Sequence, residues 1–266
     1  MPFPDHVAGA PPQLSVATYN IHKGFSVTPL FARRPTLHAL REQLRLLNTD
    51  LVFLQEVVGE HTVHAARHLD WPVQSQYEFL ADSLWQSHAY GKNAVYDAGH
   101  HGNAVLSRYP ITRWDNEDVS SHRFERRGLL HCEIAVSGWS QTLHCVCVHL
   151  ALTARGRGLQ LERLRQRIER LVPPDAPLIV AGDFNDWYWR HRATHLLAHP
   201  LNMHEVFELA GGAPARSYPA LLPVLRLDRI YVRGFSVREV RVHHGRRWGR
   251  ISDHAPLTAQ LERLPG

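Results

Sequence analysis

The sequence predicts a layered α/β protein. Three observations carry this. Short apolar runs bounded by turn residues recur along the whole chain. Only two segments carry a helical apolar stripe. Several successive apolar runs have no helix between them. Runs joined without a crossover helix pair antiparallel, so much of the strand pairing should be antiparallel.

Residues 14–21 read as the first apolar strand. Thr36 can cap a helix whose Leu37, Leu40, Leu44 and Leu47 fall on one face. Asp50 ends the connection, and 51–55 is a short buried strand. Further strands are expected over 77–81, 93–96, 102–107, 129–136 and 142–150. Residues 155–171 form a helix that puts Leu161, Leu164, Ile168 and Leu171 on one side. Strands over 178–181, 227–232, 237–242 and 257–261 complete the chain.

The 266 residues are 44% apolar and 21% charged, enough to bury a core and to exclude disorder as the main state. No uncharged apolar run approaches the roughly 18 residues of a membrane span. The longest candidate, Leu221-Leu222-Pro223-Val224-Leu225, is short and broken by proline. The net charge is +5, and Lys23 and Lys92 are the only lysines. Arginine suits bidentate phosphate contacts, although the bias also arises from genome composition. Three cysteines do not make a disulfide framework; Cys145 and Cys147 share one strand face as small buried residues. The first 14 residues lack a secretory pattern, so a cytoplasmic protein is expected. Glycine and proline mark no linker. Residues 1–13 read as a poorly ordered extension and 14–266 as one domain.

The chemistry gathers where apolar runs stop. Residues 14–19 run into Asn20-Ile21-His22-Lys23-Gly24, and 51–54 into Gln55-Glu56. His149 ends 142–148, and Gly182-Asp183-Phe184-Asn185-Asp186 follows 178–181. Asp228 follows Leu227, and Ser252-Asp253-His254 follows Ile251. Strand ends aim side chains into a common crevice. Glu56, Asp183, Asp228 and Asp253 bring carboxylates, Asn20 and Asn185 amides, His149 and His254 imidazoles. Oxygen donors with few nitrogens suit Mg²⁺ or Mn²⁺ rather than zinc. With imidazoles and carboxylates to move protons, phosphate-ester hydrolysis is the natural reaction class. Singly, each residue also reads as a turn, an ion pair or a core histidine. Six strand ends with one chemistry do not.

The matching stretches are Ala17-Thr18-Tyr19-Asn20, residues 50–56, residues 102–108, Val148-His149-Leu150, Gly182-Asp183-Phe184-Asn185, residues 226–230 and Ser252-Asp253-His254. In this order they resemble the endonuclease/exonuclease/phosphatase superfamily of DNase I-like nucleases, abasic-site nucleases, inositol polyphosphate 5-phosphatases and neutral sphingomyelinases. The resemblance spans 17 to 254. It implies a four-layer α/β/β/α sandwich of two packed mixed sheets flanked by helices, with the site at one end. It implies Glu56 as principal metal ligand, with Asn20 and Asp253 completing or orienting the shell. Asp183 and Asn185 would position or activate water and hold the phosphate. Asp228 would orient His254, the catalytic imidazole, and His149 would contact phosphate or serve as a second acid. Asn103 lies in a motif that abuts the site.

Abasic-site nucleases usually carry tyrosine where this chain has His149, and an acidic residue near His22. Both departures favour the DNase I, sphingomyelinase and phosphatase side. Residues 19–25 with 99–104 look like a bacterial branch. There His22, Lys23, His100 and His101 either line the site mouth or sit in solvated loops. Trp187-Tyr188-Trp189 could stack on a base, enter a lipid interface or pack a loop. Arg123, Arg126, Arg127, Arg155 and Arg157 lie in loops that could flank the cleft. Arg246, Arg247 and Arg250 form a basic patch that either steers a polyanion or is a solvated loop.

The expected function is a Mg²⁺- or Mn²⁺-dependent hydrolase of phosphoesters, most of all phosphodiesters, with nucleic acid as the first candidate substrate. A phospholipid or phosphoinositide hydrolase is the second. A binding or regulatory homologue without catalysis is the third, and retention of Glu56 and His254 argues against it. Peripheral lipid contact stays open, and no obligate protein partner is implied.

Overall fold

A computed structural model describes residues 13–26, 34–61, 63, 67, 71–121, 125–187, 197 and 199–265. The extension expected over 1–13 lies outside the described residues, apart from Gln13. So do Arg123, Tyr188 and Trp189.

The order is β1 (Gln13–Asn20), α1 (Leu37–Leu47), β2 (Leu51–His61), α2 (Gln76–Ala81), β3 (Ser87–Tyr96), β4 (Gly99–Ser107), β5 (Ile111–Asp118), β6 (Gly128–Ile134), β7 (Leu143–His149), α3 (Ala154–Leu171), β8 (Leu178–Asp183), β9 (His204–Glu205), α4 (Val206–Leu209), β10 (Asp228–Arg233), β11 (Phe235–Val242), α5 (Arg246–Gly249) and β12 (Leu257–Arg263). One six-stranded sheet runs β11-β12-β1-β2-β4-β3 and the other β5-β6-β7-β8-β10-β9. Each holds one parallel pair, β1 with β2 and β7 with β8. Parallel neighbours need a crossover, and α1 and α3 provide the two.

Alternation along the strands builds four layers. Val16, Phe53, Val105, Cys145, Cys147 and Ile230 point between the sheets into one core. Ala17, Leu54, Leu106 and the α1 residues Leu37, Leu40 and Leu44 form a second core outside the first sheet. Val146, Val148, Val180 and the α3 residues Leu161, Leu164 and Ile168 form a third outside the second sheet. The α/β/β/α sandwich is therefore observed.

Some local expectations change. Residues 77–81 are helical, because Ser75 N and Oγ both donate to Glu78 Oε2, at 3.1 and 2.6 Å, and close a capping box. β5 was hidden because it is a polar, mostly exposed edge strand. Thr36 stands at the N-cap of α1, but its hydroxyl donates to the Ile251 carbonyl at 3.2 Å instead of capping. Leu171 ends α3 exposed, and Arg155 and Arg157, expected in loops, lie in its first turn. β2 runs past Gln55 because a bulge resets its register there.

Asp50 pins the far end of the first sheet. Its carboxylate accepts from Ser15 N and Oγ at 2.8 and 2.6 Å and from Arg108 Nη1 at 3.3 Å, so the starts of β1 and β2 and the end of β4 are held in fixed stagger.

Two histidines lie beneath α3, on the outer face of β6 and β7. His131 Nε2 and His144 Nδ1 are 3.1 Å apart and both rings are buried. Burial, reinforced by His144 and Arg167, lowers His131 to about 3. Burial lowers His144 as well. The folded state keeps both neutral while the unfolded chain protonates near its ordinary value. Stability should therefore fall as pH drops below about 6.5. The His131 contribution at pH 5 is about 2 kcal/mol. Thermal unfolding from pH 7 to 5 should show this loss, and His131→Gln should flatten the slope.

Candidate functional site

The site lies where the sheets meet at one end. The carboxyl ends of β1, β7 and β8 bring Asn20, His149 and Asp183. The antiparallel strand β10 begins there, so Asp228 pairs directly with Asp183. Parallel pairing sets His149 opposite Asp183.

Gly-Asp-Phe-Asn has a separate reason for each residue. Gly182 has φ +150°, and a Cβ there would sit 1.9 Å from the Val148 carbonyl, so only glycine lets β8 approach β7 this closely. Phe184 is buried in the core under α3. Asn185 takes the left-handed conformation at φ 50°, and its N–H donates to Asp183 Oδ1 at 2.9 Å. Its side-chain amide donates to the Leu150 carbonyl at 2.9 Å.

Asp183 is the centre. Asn20 Nδ2 donates to Asp183 Oδ2 at 3.0 Å, from one sheet to the other. His149 Nε2 lies 3.5 Å and His254 Nε2 3.7 Å from the same oxygen. Burial pushes the Asp183 carboxyl up to about 7, against the pull of His254.

His254 Nδ1 lies 2.8 Å from Asp228 Oδ2, with both side chains buried. Burial alone would lower this imidazole. The Asp228 and Asp183 carboxylates outweigh burial and raise it to about 10. His254 is therefore an imidazolium at neutral pH. His149 is its opposite: burial, with Arg127 and His254 close by, drives it well below the usual range. One imidazole is charged and one neutral, on either side of one carboxylate.

Ser252 and Ser217, which the sequence reading gave no role, hold this arrangement. Ser252 Oγ donates to the Asn20 carbonyl at 2.7 Å and ties the Ser-Asp-His turn to β1. Ser217 Oγ accepts from Asp228 N at 3.1 Å. Spacing gives no signal for either, since hydroxyls that bond backbone occur anywhere in a chain. Asp253 Oδ1 lies 3.2 Å from His22 Nδ1. Burial would raise Asp253; the His22 hydrogen bond and the His254 charge hold it below its ordinary value.

Glu56 sits on the bulge. Leu54 pairs with Ala104 and Val57 with Gly102, so Gln55 and Glu56 together face Asn103. Gln55 turns inward, and its amide meets Cys147 Sγ at 3.3 Å. Glu56 takes φ 57° and remains half-buried. Among the described residues it has no hydrogen bond or ion pair. Asn103 Nδ2 donates across the sheets to the Gly128 carbonyl at 3.1 Å, and among the described residues its buried Oδ1 has no donor. Lys23 and His101 lie near His149 and shift its proton affinity, whereas His100 turns to Tyr90, 3.0 Å from its hydroxyl. Arg127 Nε donates to the Leu150 carbonyl at 3.2 Å, the group that Asn185 also uses.

The structure does not bring Arg247 into this group. Its Nη1 is 3.5 Å from Gln43 on α1, so it faces the outer helical layer. Arg246 and Arg250 are exposed around α5.

Asp183, Asp228 and His254 offer ligand atoms within 4.8 Å of one another. His254 fits poorly as a ligand, since Nδ1 is committed to Asp228 and the ring is cationic. The oxygen donors fit a hard cation better. Glu56 has an uncommitted carboxylate beside the backbone that Asn20 pairs with, and Asp253 adds a second carboxylate held below its ordinary value.

Residues 17–254 match the sequence model of the Endonuclease/Exonuclease/phosphatase family. "Uncharacterized protein YbhP" of Escherichia coli strain K12 is 48% identical over 246 residues, 92% of this chain and 95% of its own length. The Shigella flexneri protein of the same name gives the same figures. An endonuclease/exonuclease/phosphatase from Bacteroides vulgatus shares the fold with a TM-score of 0.73 at 16% identity, covering 95% of this chain and 99% of that one. D. rerio TDP2, solved with a single strand DNA product, does so with a TM-score of 0.67 at 20% identity, covering 94% and 99%.

The charged state of His254 should depend on Asp228. NMR titration of wild type should find the imidazole protonated well above neutrality. Asp228→Asn should lower its midpoint by about 2 units. An unmoved midpoint would show that another group holds the proton.

Proposed function

This chain belongs to the endonuclease/exonuclease/phosphatase family, and from that premise we propose that it is a divalent-metal-dependent hydrolase of phosphodiesters. One observation carries the reading: a charged imidazole and a neutral one flank a single buried carboxylate whose proton affinity lies near neutrality.

A cation, Mg²⁺ or Mn²⁺, would be held by Glu56 with Asn20 and Asp253, and would polarise the phosphoryl oxygens. The chain's own residues supply the rest. Asp183, fixed by Asn20 and Asn185, accepts the proton of the attacking water. His254, held by Asp228, places its Nε2–H against the phosphate and stabilises the charge that develops there. His149 is neutral, so its role is to hydrogen-bond the phosphate, and the leaving oxygen takes its proton from the cationic His254. Asn103, Lys23 and His22 border this centre and would fix the substrate.

Two substrate classes have support. The fold shared with TDP2, solved with a DNA product, supports nucleic acid. Exposed aliphatic side chains at the site rim support a phospholipid. Three free, buried cysteines support a reducing compartment such as the cytoplasm. Among the described residues no helix is long and apolar enough to cross a membrane.

Hydrolysis of bis(p-nitrophenyl) phosphate should need Mg²⁺ or Mn²⁺ and stop with EDTA. Glu56→Gln should weaken cation binding in calorimetry, and equal binding would place the cation elsewhere. His254→Ala should lower kcat by about 10² to 10⁴. Adding Asp228→Ala should cost little more, because residues acting as a unit are non-additive. Multiplicative losses would remove the dyad.

A further inference from the structure

The run Leu221-Leu222-Pro223-Val224-Leu225 has no place in the mechanism, yet it stands beside it. Residues 218–225 form a tight hairpin. Tyr218 N donates to the Leu225 carbonyl at 3.2 Å, Leu225 N to the Tyr218 carbonyl at 2.7 Å, and Val224 N to the same carbonyl at 2.8 Å. The base of the hairpin is bound to the catalytic turn. Ala220 N donates to the Asp253 carbonyl and Ala255 N to the Ser217 carbonyl, both at 2.7 Å. The Tyr218 ring meets the His254 ring edge-on at 5.2 Å.

The tip is apolar and uncovered. Leu221 is 59% exposed, Leu222 72% and Val224 56%. Single exposed apolar residues are ordinary, but three within four positions on a braced hairpin are not. A loop tip that only joined strands would gain solubility from polar residues. Trp187, two residues beyond Asn185, is also half-exposed on the rim.

The surroundings of the tip are cationic. A Cβ on Gly249 would lie 3.2 Å from Leu221, so α5 abuts the hairpin. Segments 211–227 and 243–252 contain five arginines and no aspartate or glutamate. Arg216, Arg246 and Arg250 are exposed, and among the described residues they make no ion pair. An aliphatic tip with exposed arginines on the segments that adjoin it matches an anionic lipid surface, with acyl chains below and phosphates at guanidinium height. Nucleic acid has use for the arginines but none for the leucines.

We propose that hairpin 218–225, flanked by α5, seats the active site on an anionic phospholipid bilayer, so that the scissile phosphodiester is presented by a lipid headgroup. This rests on the phosphodiesterase reading of the site and narrows its substrate to a phospholipid. Seated this way, the hairpin brings His254, 5.2 Å from Tyr218 at its base, toward headgroup depth.

Vesicle flotation tests the docking without turnover. The full chain should float with vesicles of phosphatidylcholine and phosphatidylglycerol and far less with phosphatidylcholine alone. Leu221→Ser with Leu222→Ser should lower the partition coefficient about 100-fold. Arg246→Ala with Arg250→Ala should lower it about 10- to 30-fold on anionic vesicles only. Circular dichroism melts verify folding, and a second probe avoids the double variant. Leu222→Cys carrying an environment-sensitive dye should blue-shift on adding anionic vesicles, its label directed there because the native cysteines are buried. Absence of flotation, or a dye that does not shift, overturns the proposal. So does loss of oligonucleotide binding or of self-association, rather than of flotation, in the serine variant. A protein that floats but cleaves no diester would sink the phosphodiesterase reading, and the lipid as its substrate, while the docking stands. One that cleaves soluble diester but never floats would sink the docking alone.

Discussion

Everything at this site depends on burying one carboxylate. Asp183 is 1% exposed, at the seam between the sheets. An isolated buried charge costs far more than a domain's net stability, so such a group must be neutralised or surrounded by donors. Here the Asn20 amide, the Asn185 N–H and two imidazoles converge on it. Asn20 belongs to one sheet and the other three lie on the second sheet or the turn before β12. The donors can meet only if both sheets end at one level. Asp50 fixes the stagger at the far end of the first sheet. Close approach at Gly182 fixes the meeting of β7 and β8.

The same carboxylate sets the charge on its neighbours. With Asp228, Asp183 raises His254 against the lowering effect of burial. Burial and Arg127 depress His149, the cation so formed depresses it further, and His149 has no carboxylate of its own as close as 2.8 Å. Two histidines of equal burial therefore divide into an acid-like and a neutral group. Both share one oxygen of Asp183 at similar distance, and Asp228, bonded to His254 alone, makes the roles unequal.

The layered fold was legible because it rests on apolar alternation, and alternation is local. The helices 37–47 and 155–171 announced themselves by stripe, and Cys145 and Cys147 fell on the inner face as their spacing required. Elements without that signal were misread or missed. β5 is polar because it is an edge strand, and α2 is set by the Ser75–Glu78 box more than by its apolar residues. The site was legible through strand ends, since Asn20, His149, Asp183 and Asp228 stand at ends of strands. Glu56 was located by the wrong rule. Its strand does not stop there, and a bulge opposite Asn103 interrupts the register. Nor could the chain show that Arg247 turns to Gln43 while Arg246 and Arg250 stay exposed around the same short helix. Three arginines in five residues look alike until a short helix assigns them directions.

The polar centre and its apolar rim are consequences of one turn. Ser-Asp-His must hold His254 against Asp228, and it does so by bonding backbone to two partners. Ser252 reaches Asn20 on one side, and Asp253 and Ala255 reach the 217–220 segment on the other. The second set of bonds makes the hairpin part of the framework that holds the candidate site. A loop tied this firmly to the turn that carries His254 cannot move aside to bury its tip in the protein. Its aliphatic side chains must then stay in water or find a partner outside the chain. Water would favour polar residues at no structural cost, because neither Leu221 nor Leu222 fills any core of this protein. Leucines on a tip so braced, with arginines on the adjoining segments, suit a surface that meets something apolar and anionic together.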